Sequence, residues 1–338
     1  MPLGRARSFT AVATAASTLE TCSLPSPAVC SAPPLEAGAQ ERYIPMRQRL
    51  VSTYSIVARD PENGDLGIAV QSKFLAVGAV VPWAIAGVGA VATQAWANPS
   101  YGPEALRLLG GGTTAQDALR ALVDADGGRA HRQLGIVDAH GTAATYTGAS
   151  CFDWAGGRTG AGYTAQGNIL VGKATVDALA ERFETARGHL AQRLMAALAA
   201  AQAAGGDSRG MESAALLVVR AGGGYGGFND RYIDLRVDDH ASPIAELERL
   251  LGLHSLYLER TEPGTALPLN ETLLREVQSL LHAAGDYPAE PSGVYDEATG
   301  LAIRAYNGRE NLEMREASAT HIDPLVLQHM RARGGRAG

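Results

Sequence analysis

The stretch TYSIVARD at residues 53–60, followed by LGIAVQSK at residues 66–73, decides the predicted fold. Both runs are rich in β-forming residues and almost continuously apolar, which is typical of strands in a sheet covered on both faces. The Asn63-Gly64 pair between them is a strong hairpin signal. The two runs are therefore predicted to be neighbouring antiparallel strands, with Thr53 at the head of the first.

The rest of the main domain alternates between pairs of strands and pairs of helices. This alternation predicts two sheets sandwiched between helical layers. The further predicted strands are residues 76–81, 88–93, 133–137, 143–147, 163–168, 214–219 and 232–237, and the predicted helices are residues 102–109, 114–125, 174–185, 190–204 and 243–258.

The composition is that of an ordinary globular protein, with 46% hydrophobic and 19% charged residues among 338. The net charge of −6 comes without a basic block, so nucleic-acid binding has no electrostatic support. No run of 18 apolar residues occurs, so no membrane span is expected. The three cysteines form no metal-binding motif, and Cys151 is expected to be a small core residue. We therefore expect neither a metal nor an organic cofactor.

The chain is predicted to have four parts. Residues 1–52 are rich in Ala, Ser and Pro, and are either a leader or an overlong gene start; both interpretations stay open. Residues 53–258 form the main domain, residues 259–268 a linker, and residues 269–338 a small, mostly helical domain. The chain is predicted to be cytoplasmic, or periplasmic or secreted if the first part holds a real signal peptide.

Several segments of the main domain resemble one bacterial family. They are YSIVARD (54–60), QSKFLAVGAVVPW (71–83), GVGAVATQ (87–94), ANPSYG (97–102), QGNIL (166–170) and GGGYGGFNDRYIDLRVDDH (222–240). Together they closely resemble the DUF1028 proteins, a family of unknown function, over about residues 53–258. The resemblance implies an α+β fold, the four-layer αββα sandwich of the N-terminal-nucleophile (Ntn) hydrolase superfamily. It implies no substrate, because the family lacks an assigned reaction.

The C-terminal part resembles a peptidoglycan-binding-type helical module. The resemblance rests on LLREVQSLL (273–281) and GVYDEATGLAIRAY (293–306), and Asn307 departs from it because glutamine is usual there. The resemblance implies that this domain binds a glycan strand. The alternative, which we favour, is that it simply packs against its neighbour.

Thr53 is the candidate nucleophile. A chain that begins at Thr53 would carry a hydroxyl and an α-amine on one residue, and an α-amine with a pKa of roughly 7.7–8.0 can serve as the base. Ser52 is the nearest rival, because processing one residue earlier would expose it, and Ser55 is a weaker candidate inside the strand. Each hypothesis requires removal of the residues that precede the nucleophile.

Polar residues at strand ends are the candidate donors for a developing oxyanion. Gln71, Ser72 and Lys73 end the second strand, and Gln94 and Asn98 follow the fourth. Each of them has an alternative role in capping a turn or the backbone, and Lys73 could instead point to water.

Four residues are candidates for substrate binding. Asn168 ends another apolar strand, while Asn229, Asp230 and Arg231 follow a glycine-rich turn. Arg231 is suited to bind a substrate carboxylate bidentately, with Asp230 orienting an amine. An Asp–Arg pair that only fixes the loop explains the same residues equally well.

These residues predict a small-molecule amidohydrolase with an N-terminal threonine nucleophile. A catalytically silent protein that binds cell-wall glycan or a small ligand is the alternative, and an acyltransferase using the same chemistry is a third hypothesis. The expected partners are a small amide substrate, peptidoglycan and a second copy in a homo-oligomer. Nucleic acid and membrane are not expected.

Overall fold

The computed structural model describes residues 53–315 and 317–334, so the predictions for residues 1–52 lie outside the described residues. The strands are β1 (Thr53–Arg59), β2 (Leu66–Ser72), β3 (Pro82–Ile85), β4 (Gly89–Ala95), β5 (Arg132–Asp138), β6 (Ala143–Thr147), β7 (Gly156–Gly160), β8 (Tyr163–Asn168), β9 (Ser213–Val219), β10 (Arg231–Val237), β11 (Leu267–Pro268) and β12 (His321–Ile322). The helices are α1 (Tyr101–Gly110), α2 (Ala115–Ala125), α3 (Lys173–Thr185), α4 (Leu190–Ala203), α5 (Pro243–Leu258), α6 (Glu271–Ala283), α7 (Glu297–Glu310) and α8 (Pro324–Gly334).

The strands form two larger antiparallel sheets and one small one. The six-stranded sheet has the order β10-β9-β2-β1-β8-β7, the four-stranded sheet the order β3-β4-β5-β6, and β11 pairs with β12. The β1–β2 hairpin is confirmed, with Thr53 opposite Ser72 and Arg59 opposite Leu66. Strand β1 therefore lies inside the larger sheet, between β2 and β8.

Three apolar clusters show what covers each face of these sheets. Because side chains alternate along a strand, Tyr54 and Ile56 pack with residues of α3, α4 and α5. Val57 points the other way and packs with Ala92 and Val137 of the smaller sheet. The outer face of the smaller sheet packs on α1 and α2. The predicted α+β class, with antiparallel sheets and a helical C-terminal region, is confirmed.

The structure differs from the predicted elements at several places, each for a physical reason. Strand β3 was not predicted, because Pro82 marks a connection in the sequence, but it pairs with β4. The strand predicted at residues 76–81 is wrong: Ala76 has a left-handed φ of 55° and starts a short 3-10 turn at Val77–Ala79. Strand β7 was not predicted, because its sequence GGRTG has low β-propensity. A Cβ on Gly157 would lie 2.7 Å from Thr145 Oγ1, so glycine there permits the close approach of β7 to β6.

The C-terminal part has its own core, which also takes in the end of α5. Leu256 of α5 packs in one cluster with Val277, Tyr306 and Met330. Gln278 is fully buried and fixes the turn before α7, because its Oε1 accepts the Gly293 N–H at 2.8 Å. The last turn of α5 therefore joins the main part of the chain to the C-terminal part.

A buried ion pair holds this junction. The Arg315 guanidinium lies 3.2 Å from Asp323 Oδ2, with both side chains almost completely buried. Its Nε donates to the Leu256 carbonyl at 3.0 Å, and its Nη1 to the Arg260 carbonyl at 3.3 Å. One side chain thus connects the end of α5 with the start of α8.

Among residues 53–315 and 317–334, no helix is both long enough and apolar enough to cross a membrane.

Candidate functional site

Thr53 lies at the head of β1, where the two larger sheets face each other. It stands opposite Ser72 of β2 and Asn168 of β8 in the strand register. Its side chain is fully buried, and its Oγ1 donates to Ser72 Oγ at 3.1 Å. Its carbonyl oxygen lies 3.3 Å from Gln94 Nε2 and 3.5 Å from Asn168 Nδ2.

Thr53 belongs to a set of buried, uncharged side chains that we call the polar layer. The layer lies at the end of β1 that carries Thr53, and its members come from β1, β2, β4, β5 and β8. They are Thr53, Ser55, Ser72, Gln94, Gln133, Gln166 and Asn168, all with at most 1% of their surface exposed.

Gln133 is the hub of the polar layer. Its Oε1 accepts from Gln94 Nε2 at 2.8 Å and from Asn168 Nδ2 at 3.0 Å. Its Nε2 donates to the Gly167 carbonyl at 2.8 Å and to Thr147 Oγ1 at 2.9 Å. The two amides that reach the Thr53 carbonyl are therefore both oriented by one glutamine.

Ser55 closes the other side of the network. Its hydroxyl donates to Gln94 Oε1 at 2.6 Å and accepts from Gln166 Nε2 at 2.7 Å. Gln166 Oε1 in turn accepts from Thr164 Oγ1 at 2.9 Å. Buried hydrogen bonds connected in this way strengthen one another and fix the side chains, because breaking one leaves a polar group unpaired.

Backbone strain accompanies the polar layer. Ala95 and Ile169, which directly follow Gln94 and Asn168, have left-handed φ values of 63° and 53°. This conformation is unusual for alanine and more so for a β-branched residue. Such strain costs about 1–3 kcal/mol per residue and concentrates at functional sites. It lies at the ends of the two strands that bring amides to Thr53.

Cys151 lies near this end of the sheets, in surroundings that do not favour a nucleophile. It is half-buried, and its Sγ donates to the Arg132 carbonyl at 3.3 Å. Burial raises the pKa of its thiol. Since the thiolate is the reactive form, a raised pKa lowers its reactivity.

The structure brings Thr53, Ser72, Gln94 and Asn168 together but not the other predicted donors. Lys73 directs its Nζ to the Met211 carbonyl at 3.1 Å and lies 3.9 Å from Glu212. Asn98 accepts from the Ser100 N–H and hydroxyl at 3.2 and 2.7 Å, so it fixes a turn.

Gln71 lies on the helix-covered face of the larger sheet, outside the polar layer. It stands opposite Tyr54, whose ring packs on α3 and α4. The Gln71 amide is fully buried, and neither its nitrogen nor its oxygen has a hydrogen-bond partner in the described part of the chain.

The predicted substrate loop lies at the opposite end of the larger sheet. Arg231 pairs with Val219, which pairs with Leu66 at the end of β2 far from Ser72. Six residues at about 3.3 Å each put it roughly 20 Å from Thr53 along the strands. Arg231 bonds to Asp234. The loop and Thr53 do not form one site.

The contacts of the other loop residues are structural. Asp230 Oδ2 accepts the Ala86 N–H at 2.8 Å, and Asn229 Oδ1 accepts the Arg231 N–H at 3.0 Å. Arg231 pairs with Asp234 and not with Asp230, and Asp230 instead holds the turn between β3 and β4.

Sequence reasoning missed Gln133 and Gln166. A usable signal existed in β8, where Thr164, Gln166 and Asn168 recur with the period of two that puts them on one face of a strand. Gln133 follows His131 and Arg132 at the start of β5, and nothing in the sequence alone pairs β5 with β4.

Replacing Gln133 by leucine is expected to destabilise the fold by about 2–4 kcal/mol. The change removes the acceptor of Gln94 and Asn168 and leaves buried donors unpaired, each costing roughly 1–3 kcal/mol. Urea unfolding of the full-length chain measures the difference. Gln116→Leu, on an exposed face of α2, is the matched control. Equal free energies of unfolding for the two variants would show that the hydrogen bonds of Gln133 do not stabilise the fold.

No group of three or more His, Cys, Asp or Glu side chains able to hold a metal occurs in residues 53–315 and 317–334. The polar layer itself consists of alcohols and amides, which can orient, donate and accept hydrogen bonds. A nucleophilic role for one of its alcohols requires a base, and a free α-amine on Thr53 would be such a base.

Comparison with known proteins gives two family matches and several similar solved structures. The model of a "Family of unknown function (DUF1028)" matches residues 53–247, and that of a "Putative peptidoglycan binding domain" matches residues 257–330. A crystal structure of a Silicibacter pomeroyi protein, titled as a DUF1028 member, is 34% identical with a TM-score of 0.56. The match covers 62% of this chain and 91% of that one. No curated protein matches. Since the match to the DUF1028 family covers more than half of the sequence, the chain belongs to the DUF1028 family.

Proposed function

We propose that the chain is an amidohydrolase whose nucleophile is Thr53 after removal of residues 1–52. The observation that carries the proposal is the position of Thr53 at the head of β1, with its hydroxyl 3.1 Å from Ser72 in the polar layer. A first-strand threonine among oriented amides is what an N-terminal nucleophile requires. The three apolar clusters on both faces of the two sheets also support the αββα sandwich and the Ntn superfamily assignment.

The proposed reaction uses the two groups of a terminal Thr53. The α-amine accepts the hydroxyl proton while Oγ1 attacks the amide carbonyl, forming a tetrahedral oxyanion. The C–N bond then breaks, the proton passes to the leaving amine, and an ester remains on Oγ1. Water, deprotonated by the same amine, attacks the ester and releases the carboxylic acid.

The polar layer gives this chemistry its fixed geometry. Ser72 orients the Thr53 hydroxyl, while Gln94 and Asn168 hold the Thr53 carbonyl and hence the residue's main chain. Because Gln133 fixes both amides, they need little reorganisation during the reaction. In this role Gln94 and Asn168 are positioning residues.

The N-terminal sequence and intact mass of the protein purified from its native host test the proposal first. We expect a chain that begins at Thr53. A chain that keeps Ser52 or any earlier residue has no free amine on Thr53, and the mechanism then fails. A chain that begins at Ser52 would transfer the nucleophile to the serine.

Attachment to peptidoglycan is a second candidate function, favoured by the family match over residues 257–330. Sedimentation with purified cell-wall sacculi tests it on the full-length chain, independently of Thr53. Peptidoglycan attachment is consistent with the periplasmic or secreted location, because peptidoglycan lies outside the cytoplasmic membrane. A chain that stays in the supernatant would leave packing against α5 as the role of the C-terminal part.

A further inference from the structure

A cavity of about 600 Å³ lies at the junction of the main and C-terminal parts, which we call the junction cavity. Its walls come from β10, the end of α5, the segment after α5 and the start of α8. Tyr232 and Glu259 line it from the main part, and Arg315 and Leu325 from the C-terminal part. Ligand sites commonly have volumes of roughly 300–1,000 Å³ and often lie between domains.

The formal charges of the lining side chains balance. Three arginines line the cavity together with three carboxylates: Arg220, Arg260, Arg315, Glu259, Glu262 and Asp323. A polyanion such as nucleic acid would gain little in such a site. The balance favours a ligand that carries both signs of charge.

Two of the charged side chains have no partner within the described part of the chain. Arg260 and Glu262 stand two residues apart in the segment after α5, both exposed, and neither side chain takes part in an ion pair or a hydrogen bond among the described residues. By contrast, Arg220 is held by Asp65 at 2.6 Å. The lining of the cavity therefore offers one cation and one anion that are not already paired.

Arg315, a buried cation, also lines the cavity. Its Nε and Nη1 bond to carbonyls and to Asp323, but its buried Nη2 has no hydrogen-bond partner among the described residues. A buried guanidinium nitrogen left unpaired costs free energy.

The cavity also has an apolar side. Leu258 exposes 56% of its surface there, and Pro263 and Leu325 also line it. A side chain or methyl group of a ligand can pack on these residues. The lining thus combines a cation, an anion and an apolar surface over the span of a few residues.

We propose that the junction cavity binds a short peptide with a free carboxylate and a free amine. The carboxylate lies on Arg260, the ammonium lies on Glu262, and the peptide's methyl groups pack on Leu258. Peptide stems with such groups occur in peptidoglycan. The proposal deepens the cell-wall candidate by assigning recognition to the peptide and not to the glycan, and it does not depend on Thr53.

Calorimetric titration of the full-length chain with trialanine that has free termini tests the proposal. Trialanine is expected to bind, and N-acetyl-trialanine amide, which lacks both charges, to bind at least roughly tenfold more weakly. Arg260→Gln is expected to weaken trialanine binding roughly tenfold, because it removes one charge-assisted hydrogen bond. Arg304→Gln, on the exposed face of α7, is the matched control and should bind like the wild type.

Two results would overturn the assignment. One is the absence of trialanine binding to the wild type, and the other is equal binding by the Arg260→Gln and Arg304→Gln variants. Sedimentation of the same proteins with sacculi distinguishes cell-wall attachment from peptide binding in the junction cavity. Sacculus binding without trialanine binding would refute the junction cavity as the peptide site and leave cell-wall attachment intact.

Discussion

Thr53→Ala is expected to abolish acylation of the processed chain by a β-lactone, a small electrophile that reacts with N-terminal hydroxyl nucleophiles. A chain released at residue 53 by a site-specific protease separates this test from the question of natural processing. The wild-type chain should gain one lactone mass on its N-terminal peptide. The alanine variant should react at least about a thousandfold more slowly, because it keeps the α-amine but has no hydroxyl beside it.

Two controls sharpen this experiment. Thr53→Ser keeps the hydroxyl and the amine and should still be acylated. The full-length wild-type chain keeps the Thr53 hydroxyl but has no free amine on it, and should not react. Labelling of Cys151, or equal labelling of the alanine variant, would contradict the assignment of Thr53.

Arg315→Met is expected to reduce the free energy of unfolding of the C-terminal part by about 3–5 kcal/mol. The change leaves Asp323 buried without its cation and removes the donor to the Leu256 carbonyl. Breaking one half of a buried ion pair typically has a cost of this size. Urea unfolding followed by circular dichroism at a helix-sensitive wavelength measures it.

The location of the tryptophans allows the effect to be assigned to one part of the chain. Trp83, Trp96 and Trp154 all precede α5, so tryptophan fluorescence reports on the main part. The circular dichroism transition of the variant should shift more than the fluorescence transition. Arg304→Met is the exposed control and should change stability by no more than about 0.5 kcal/mol. Adding Asp323→Asn to Arg315→Met should recover part of the loss, and a further loss of the same size would contradict a buried ion pair.

The sequence predicted most strands and helices because their apolar patterns are strong. The β1–β2 hairpin, β8 and α5 are in the predicted places, and Thr114 caps α2 through its bond to the Asp117 N–H. Glycine-rich β7 could not be predicted, since its glycines serve the close approach to β6, a contact that exists only in the folded chain.

The sequence predicted members of the candidate site only where they lie at the ends of predicted strands. Ser72 ends the strand that was predicted to neighbour β1, so its place beside Thr53 follows from the sequence. Asn168 was predicted only to end another apolar strand, and its pairing with β1 exists only in the fold. Arg231 could not be placed in this way. In an antiparallel sheet each strand runs opposite to its neighbour, so the pairing of the strands decides at which end of the sheet a loop lies. Local sequence patterns do not encode pairings such as that of β10 with β9.

The composition of the polar layer has a consequence for how the site would respond to acidity. Every member is an alcohol or an amide, so none gains or loses a proton between mildly acidic and mildly alkaline solution. A terminal amine on Thr53 would then be the group of this cluster that titrates near neutrality. Activity would rise with pH along a single sigmoid, and its midpoint would report directly on how the protein environment has altered the basicity of that amine.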